Sequence, residues 1–90
     1  MSILKEIVRE NFMFHYAEDL LPGRTYTKHC HFLYEAYLLL EGRVDYTVGD
    51  AVYALKPYDM LLIPPQIFHV ANVRSEGAYR RCVLDFSDAA

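Results

Sequence analysis

Ninety residues are enough for one domain and no more. Hydrophobic residues make up 53% of the chain, eight Tyr and five Phe among them, and that composition excludes the disordered class. The net charge is −3 with nine scattered Lys and Arg, and the short pair Arg80-Arg81 is too small to track a phosphate backbone, which argues against nucleic-acid binding by these residues.

In chain order, Met1 to Arg9 puts Ile3, Leu4, Ile7 and Val8 at helix-like spacing, in a stretch too short and uncapped to separate helix from strand. Asn11 to Tyr16 reads as a strand, and Leu21-Pro22-Gly23 is a turn signal. The pattern then becomes β throughout. Strands are expected over Thr25 to His31, Glu35 to Leu40, Val44 to Val48, Val52 to Leu55, Met60 to Ile63 and Tyr79 to Phe86. Glu41-Gly42 and Gly49-Asp50 read as tight hairpins, Lys56-Pro57-Tyr58-Asp59 as a turn, and Pro64-Pro65-Gln66 as a break. Short strands at this spacing mark a β-sandwich or barrel. The expected fold class is all-β.

No apolar run approaches the ~20 residues that span a bilayer. The start, Met1-Ser2-Ile3-Leu4-Lys5-Glu6, lacks the basic-then-apolar layout of a signal peptide. A cytoplasmic protein with no membrane partner is the resulting expectation. Cys30 and Cys82 form no metal or redox spacing and are expected to be free thiols.

The chemistry concentrates in Gly23-x5-His29-x-His31-x3-Glu35-x6-Gly42. Side chains two apart on a strand share a face, so His29 and His31 can converge on one point inside a barrel. Glu35 has the same parity and follows a bend at Phe32-Leu33-Tyr34, so it can reach that point from the next stretch. His69, after Pro64-Pro65-Gln66, is a fourth candidate. Imidazole and carboxylate donors suit a divalent transition metal such as Zn, Ni, Fe or Mn. The same four side chains also make sense as a hydrogen-bonded polar cluster with no metal at all. His15 stands alone on its strand and reads as structural or solvent-facing. Tyr26, Tyr37, Tyr46 and Phe68 are candidate pocket lining, since aromatics combine apolar area with a polar handle, although any one such residue is more often plain core.

The Gly23-to-Gly42 pattern resembles the first cupin motif, with every defining position filled. In the second cupin motif Pro64 and His69 match, Tyr58 and Gln66 stand at glycine positions, and Asn72 sits one residue early. A narrower resemblance runs through Tyr34-Glu35, Leu40-Glu41-Gly42, Tyr53-x-Leu55-x-Pro57-x-Asp59-x-Leu61-Leu62-Ile63-x-Pro65 and His69, ending on Tyr79-Arg80-Arg81-x-Val83-Leu84-x-Phe86-Ser87. This set is similar to the N-terminal sensor domains of AraC-family transcription regulators and covers about two-thirds of the chain. The resemblance implies a small double-stranded β-helix, or jelly-roll barrel, over residues 1–90, with metal-ligand positions at His29, His31, Glu35 and His69. It also implies a small-molecule effector, often a sugar, a homodimer, and no catalytic residue. DNA contact in that family belongs to a C-terminal helix-turn-helix part, which residues 1–90 do not include. The competing expectation is a free-standing metal-dependent cupin enzyme, such as an isomerase, decarboxylase or dioxygenase. Its ion would be held by the same four residues.

Overall fold

Alternation of burial along several strands shows how this sequence becomes a barrel. On Tyr79–Phe86 the side chains of Tyr79, Arg81, Val83 and Asp85 are buried while the intervening ones are half-exposed, the period of two that a strand imposes. The computed structural model describes the backbone over residues 2–20, 25–28 and 32–87, and the side chains over 5–20 and 32–87. Within them the strands are β1 (Ser2–Val8), β2 (Phe12–Asp19), β3 (Thr25–Lys28), β4 (Tyr34–Glu41), β5 (Val44–Val48), β6 (Ala51–Leu55), β7 (Met60–Ile63), β8 (His69–Val73) and β9 (Tyr79–Phe86). The described residues contain no helix, and therefore none long and apolar enough to cross a membrane.

The strands form two antiparallel sheets, one in the order β1-β2-β9-β4-β7 and one in the order β3-β8-β5-β6. Their inner faces meet in a core of Tyr37, Leu39, Val44, Tyr46, Leu55, Ile63, Ala71, Val73, Tyr79 and Val83. This is the expected all-β jelly-roll barrel. The open question at the N-terminus resolves as a strand, β1, paired with β2. A register shift between Ile3 and Lys5 breaks its alternation, which is why its apolar residues mimic helical spacing. β8 has no counterpart among the strands expected from sequence. Its buried positions are His69, Ala71 and Val73, and a polar and a small residue there dilute the apolar signal.

Turn chemistry follows backbone demand. Gly42 and Gly49 sit at positive φ, 110° and 57°, in the two hairpins expected there. A Cβ on Gly42 would also lie 3.0 Å from Ser75 Oγ and 3.3 Å from the Ala78 carbonyl, so the β8–β9 turn closes directly onto this glycine. Tyr58 and Gln66, the two residues standing at family glycine positions, are the non-glycine residues with positive φ among those described, at 75° and 63°. The left-handed turns are kept although the glycines are not.

The outer face of the five-stranded sheet is apolar as well. Antiparallel register aligns Phe14, Leu84, Ala36 and Leu62 in one cross-strand row. Tyr16, Cys82, Leu38 and Met60 form the next row. Tyr34 stacks on Phe86 at 5.4 Å between ring centroids beyond the first. Arg80 closes the other end, pairing with Glu18 and Glu41 and lying over the Tyr16 ring. Cys82, the free thiol expected from sequence, is half-buried in this face, and that burial pushes its pKa up.

Candidate functional site

Three strands bring one polar cluster into the barrel. Glu35 enters from β4 in the five-stranded sheet, with Tyr46 and His69 from β5 and β8 in the other; all three are essentially closed to solvent. His69 Nε2 lies 3.6 Å from Glu35 Oε1, and the Tyr46 hydroxyl donates to Glu35 Oε2 at 3.2 Å. His69 Nδ1 lies 2.9 Å from the Ile67 carbonyl. A carbonyl only accepts, so Nδ1 carries the proton and Nε2 is the nitrogen turned towards Glu35. Metal-binding histidines are commonly held this way, one ring nitrogen anchored and the other presented.

Electrostatics keep the tyrosines neutral. Burial, reinforced by the Glu35 carboxylate, raises the Tyr46 pKa far above the ordinary phenol value, so its hydroxyl stays a donor. The Tyr37 and Tyr79 hydroxyls share a hydrogen bond of 2.6 Å, and burial raises both of their pKa values. Tyr37 meets the Tyr46 ring edge-on at 4.6 Å between centroids. Arg81 lies over the Tyr79 ring, 4.3 Å from its centroid, and donates to Asp19 at 2.8 Å. The barrel interior is thus polar at two poles, Glu35–His69–Tyr46 and Asp19–Arg81, with a tyrosine layer between them.

Of the expected metal-ligand positions, Glu35 and His69 are brought together. His29 and His31 lie outside the described residues, as does Cys30; β3 ends at Lys28, whose Cα pairs with that of His69. Among the described residues no group of three or more His, Cys, Asp or Glu gathers around a possible ion position. The donors that are described do fit one. Two ligands about 2.1 Å from a tetrahedral ion lie roughly 3.4 Å apart, close to the spacing of His69 and Glu35. Of the expected pocket aromatics, Tyr37 and Tyr46 are core residues with buried hydroxyls, and Phe68 is 50% exposed. Tyr26 lies on β3, and its side chain is outside the described set.

Two further buried residues lie near this pole, Asp85, which its sequence context did not single out, and His15, expected to be structural or solvent-facing and found structural. Asp85 pairs in register with Glu35 and is buried on the same face, and His15, two positions along β2 from the partner of Asp85, is buried as well. The parity of Val83 with Arg81 and Asp85 was the available signal.

Residues 11–90 match the family model for the AraC-like ligand binding domain. The chain belongs to that family. No curated protein matches it. Solved structures give the fold independently. A cupin 2 conserved barrel domain protein from Salinispora arenicola aligns with a TM-score of 0.78 at 19% identity, covering 98% of this chain and 75% of that one. A cupin superfamily protein from Desulfitobacterium hafniense aligns at 0.79 and 20% identity, covering 91% and 72%. The Cnp3 cupin domain of Schizosaccharomyces pombe aligns at 0.83 and 14% identity, covering 99% and 70%. The AraC-like domain is therefore a cupin barrel, as the motif positions implied.

Proposed function

We propose that this AraC-like domain is the effector-binding and dimerisation domain of a transcription regulator, and that its effector, a small polyhydroxylated molecule such as a sugar, binds at the Glu35–His69–Tyr46 pole. The observation carrying this reading is the buried Glu35 carboxylate, reached by an imidazole and a phenol from the opposite sheet. A carboxylate accepts hydroxyl protons, and the neutral Tyr46 hydroxyl can accept from a ligand hydroxyl while still donating to Glu35. Phe68, which is half-exposed, and Tyr26 on β3 would supply the aromatic surface a sugar ring stacks on, with Tyr37 packed behind Tyr46. A binding role of this kind needs no catalytic acid or base. DNA contact belongs, on this reading, to a helix-turn-helix segment outside these ninety residues.

A divalent ion, Zn, Ni, Fe or Mn, is part of the proposal. His29, His31, Glu35 and His69 would hold it, and when bound it supplies a Lewis-acid anchor for a ligand oxygen. The protein's own contribution is orientation: the Ile67 carbonyl fixes the His69 ring, and Tyr46 fixes the Glu35 carboxylate.

Calorimetric titration of the chain with sugars and sugar acids, with and without each metal, tests the reading. At least one such ligand should bind, and Glu35→Gln should weaken it by about tenfold or more. A panel without a single binder, or a binder indifferent to Glu35→Gln, contradicts it.

A further inference from the structure

Glu35 and His69 are 0% and 1% exposed, so a ligand reaches their pole only if part of the barrel moves. Of the two strands that flank Glu35, β7 is held less. It is an edge strand of four residues that pairs with β4 alone, Ile63 standing opposite Glu35. β9, on the other flank, follows β4 from Tyr34 to Glu41 and β2 along the whole of Phe12–Asp19. β7 can leave the sheet by breaking one short ladder, whereas β9 would have to break two long ones.

Both ends of β7 carry backbone strain. Tyr58 precedes it at φ 75° and Gln66 follows it at 63°, each a residue with a Cβ in the left-handed region. Such conformations persist where the surroundings impose them, and they cluster at clamps and switch segments. The two ends are fastened differently. Before β7, Tyr58 N–H donates to the Leu39 carbonyl at 2.6 Å and Leu39 N–H donates to the Asp59 carbonyl at 3.1 Å, which ties this turn to β4. After Ile63, Pro64 and Pro65 have no N–H to give, and the β4 ladder stops. Further on, Gly49 N–H donates to the Phe68 carbonyl at 2.9 Å. Between these points lies Ile67, whose carbonyl anchors His69 Nδ1. Outward movement of the Ile63–Gln66 end would therefore uncover Glu35 and, through Ile67, loosen the His69 ring. Ile63 is buried, so the closed form dominates and the open one is a minor state.

We propose that β7 and its two flanking turns are the gate through which a ligand reaches the Glu35–His69 pole, opening at the Ile63 end about a hinge at Tyr58–Asp59. This rests on the reading of that pole as the effector site, while its test uses no effector. β3, the edge strand paired with β8 beside His69, is the rival route.

A disulfide across β4 and β7 would lock the gate. Ala36 and Leu62 are directly opposed, so Ala36→Cys with Leu62→Cys, in a Cys30→Ser, Cys82→Ser background, places two thiols within bridging reach. The probe is diethyl pyrocarbonate, a small reagent that acylates neutral imidazole, and mass spectrometry of the digested chain reads His69 apart from the other histidines. In the parent, His69 should react at a rate nearly independent of urea up to about 1 M, the mark of a local opening rather than of unfolding. Oxidising the cysteine pair should slow that reaction about tenfold or more, and reduction should restore it. Hydrogen exchange checks the unsubstituted chain: the slowest amides of β7 should exchange at least about tenfold faster than the slowest of β9. That measurement decides alone if the cysteine pair does not oxidise. A His69 rate unchanged by the lock overturns the proposal and sends the route elsewhere, past β3 for instance. So does a His69 that never reacts, a rate that climbs with urea as unfolding does, or a β7 as protected as β9. Each of these failures would leave the proposed ligand standing. A working gate with no effector binding at Glu35 would count against that ligand alone.

Discussion

His69 and Glu35 come from opposite sheets, yet Nε2 and Oε1 lie 3.6 Å apart where the barrel is closed to solvent. At this distance the two atoms are too far apart for a direct hydrogen bond and suitably spaced to ligate one ion. Glu35→Gln separates stability from metal binding at this point. Its amide oxygen still accepts from Tyr46, and its NH₂ can donate to Nε2, so the melting temperature should change by no more than about 3 °C. Affinity for a divalent ion should fall by about 100-fold, because a neutral amide is a poor ligand. Thermal melts combined with metal titration check both halves. An unchanged metal affinity would remove Glu35 from the proposed set.

The opposite pole is tested by its ion pair. Arg81 and Asp19 are both buried and joined at 2.8 Å. Arg81→Met leaves the Asp19 carboxylate without its guanidinium and should cost about 3–5 kcal/mol, enough to unfold much of a chain this small. Adding Asp19→Leu should recover most of that loss, because a matched apolar pair avoids the stranded charge. Urea denaturation of the two single variants and the double variant measures the coupling. Additive losses would mean that the pair does not act as a unit.

Tyr58 holds a left-handed turn that glycine occupies in the cupin motif, and its side chain is 78% exposed. Tyr58→Gly relieves about 1 kcal/mol of backbone strain and adds a similar entropy to the unfolded chain, so stability should stay within about 0.5 kcal/mol. Tyr58→Val, β-branched at positive φ, should lose more than about 1 kcal/mol. Denaturant midpoints decide. Equal stability of the Val and Gly variants would show that φ is not the constraint.

Asp59 closes the same turn. Its carboxylate accepts the Lys56 backbone N–H at 3.0 Å, and this bond, with the Lys56 charge as a smaller cause, lowers its pKa below the ordinary carboxylate value. A depressed carboxylate stabilises the fold above its unfolded pKa, and the effect fades as pH falls through the folded pKa. Asp59→Asn should therefore lower the melting temperature slightly at pH 7, with the gap between variant and parent closing in acid, below about pH 4. Melts across pH follow that gap, and one that widens in acid would contradict the sign.

Much of this barrel was legible before the structure. β4 to β7 and β9 announce themselves through alternation and turn residues, and Glu41-Gly42 and Gly49-Asp50 turn where glycine must. β1 was ambiguous because a register shift breaks its period, and β8 was invisible because the barrel fills its inward positions with His69 and Ala71. β2 runs to Asp19 rather than stopping near Tyr16. Its last inward residue is an acid, and its ion pair with the distant Arg81 helps make that tolerable. At the site, the meeting of Glu35 with His69 followed from motif spacing. The Tyr46 hydrogen bond did not, because it depends on how the sheets stack, which no local pattern encodes.

Histidine-selective NMR of the chain, titrated with whichever sugar or sugar acid binds, tests the proposed effector site most directly. The His69 side-chain resonance, assigned with a His69→Gln variant, should shift in proportion to occupancy, and Glu35→Gln should weaken that titration by about tenfold or more. A ligand that saturates the protein while the His69 resonance stays fixed would place the effector elsewhere and contradict the account.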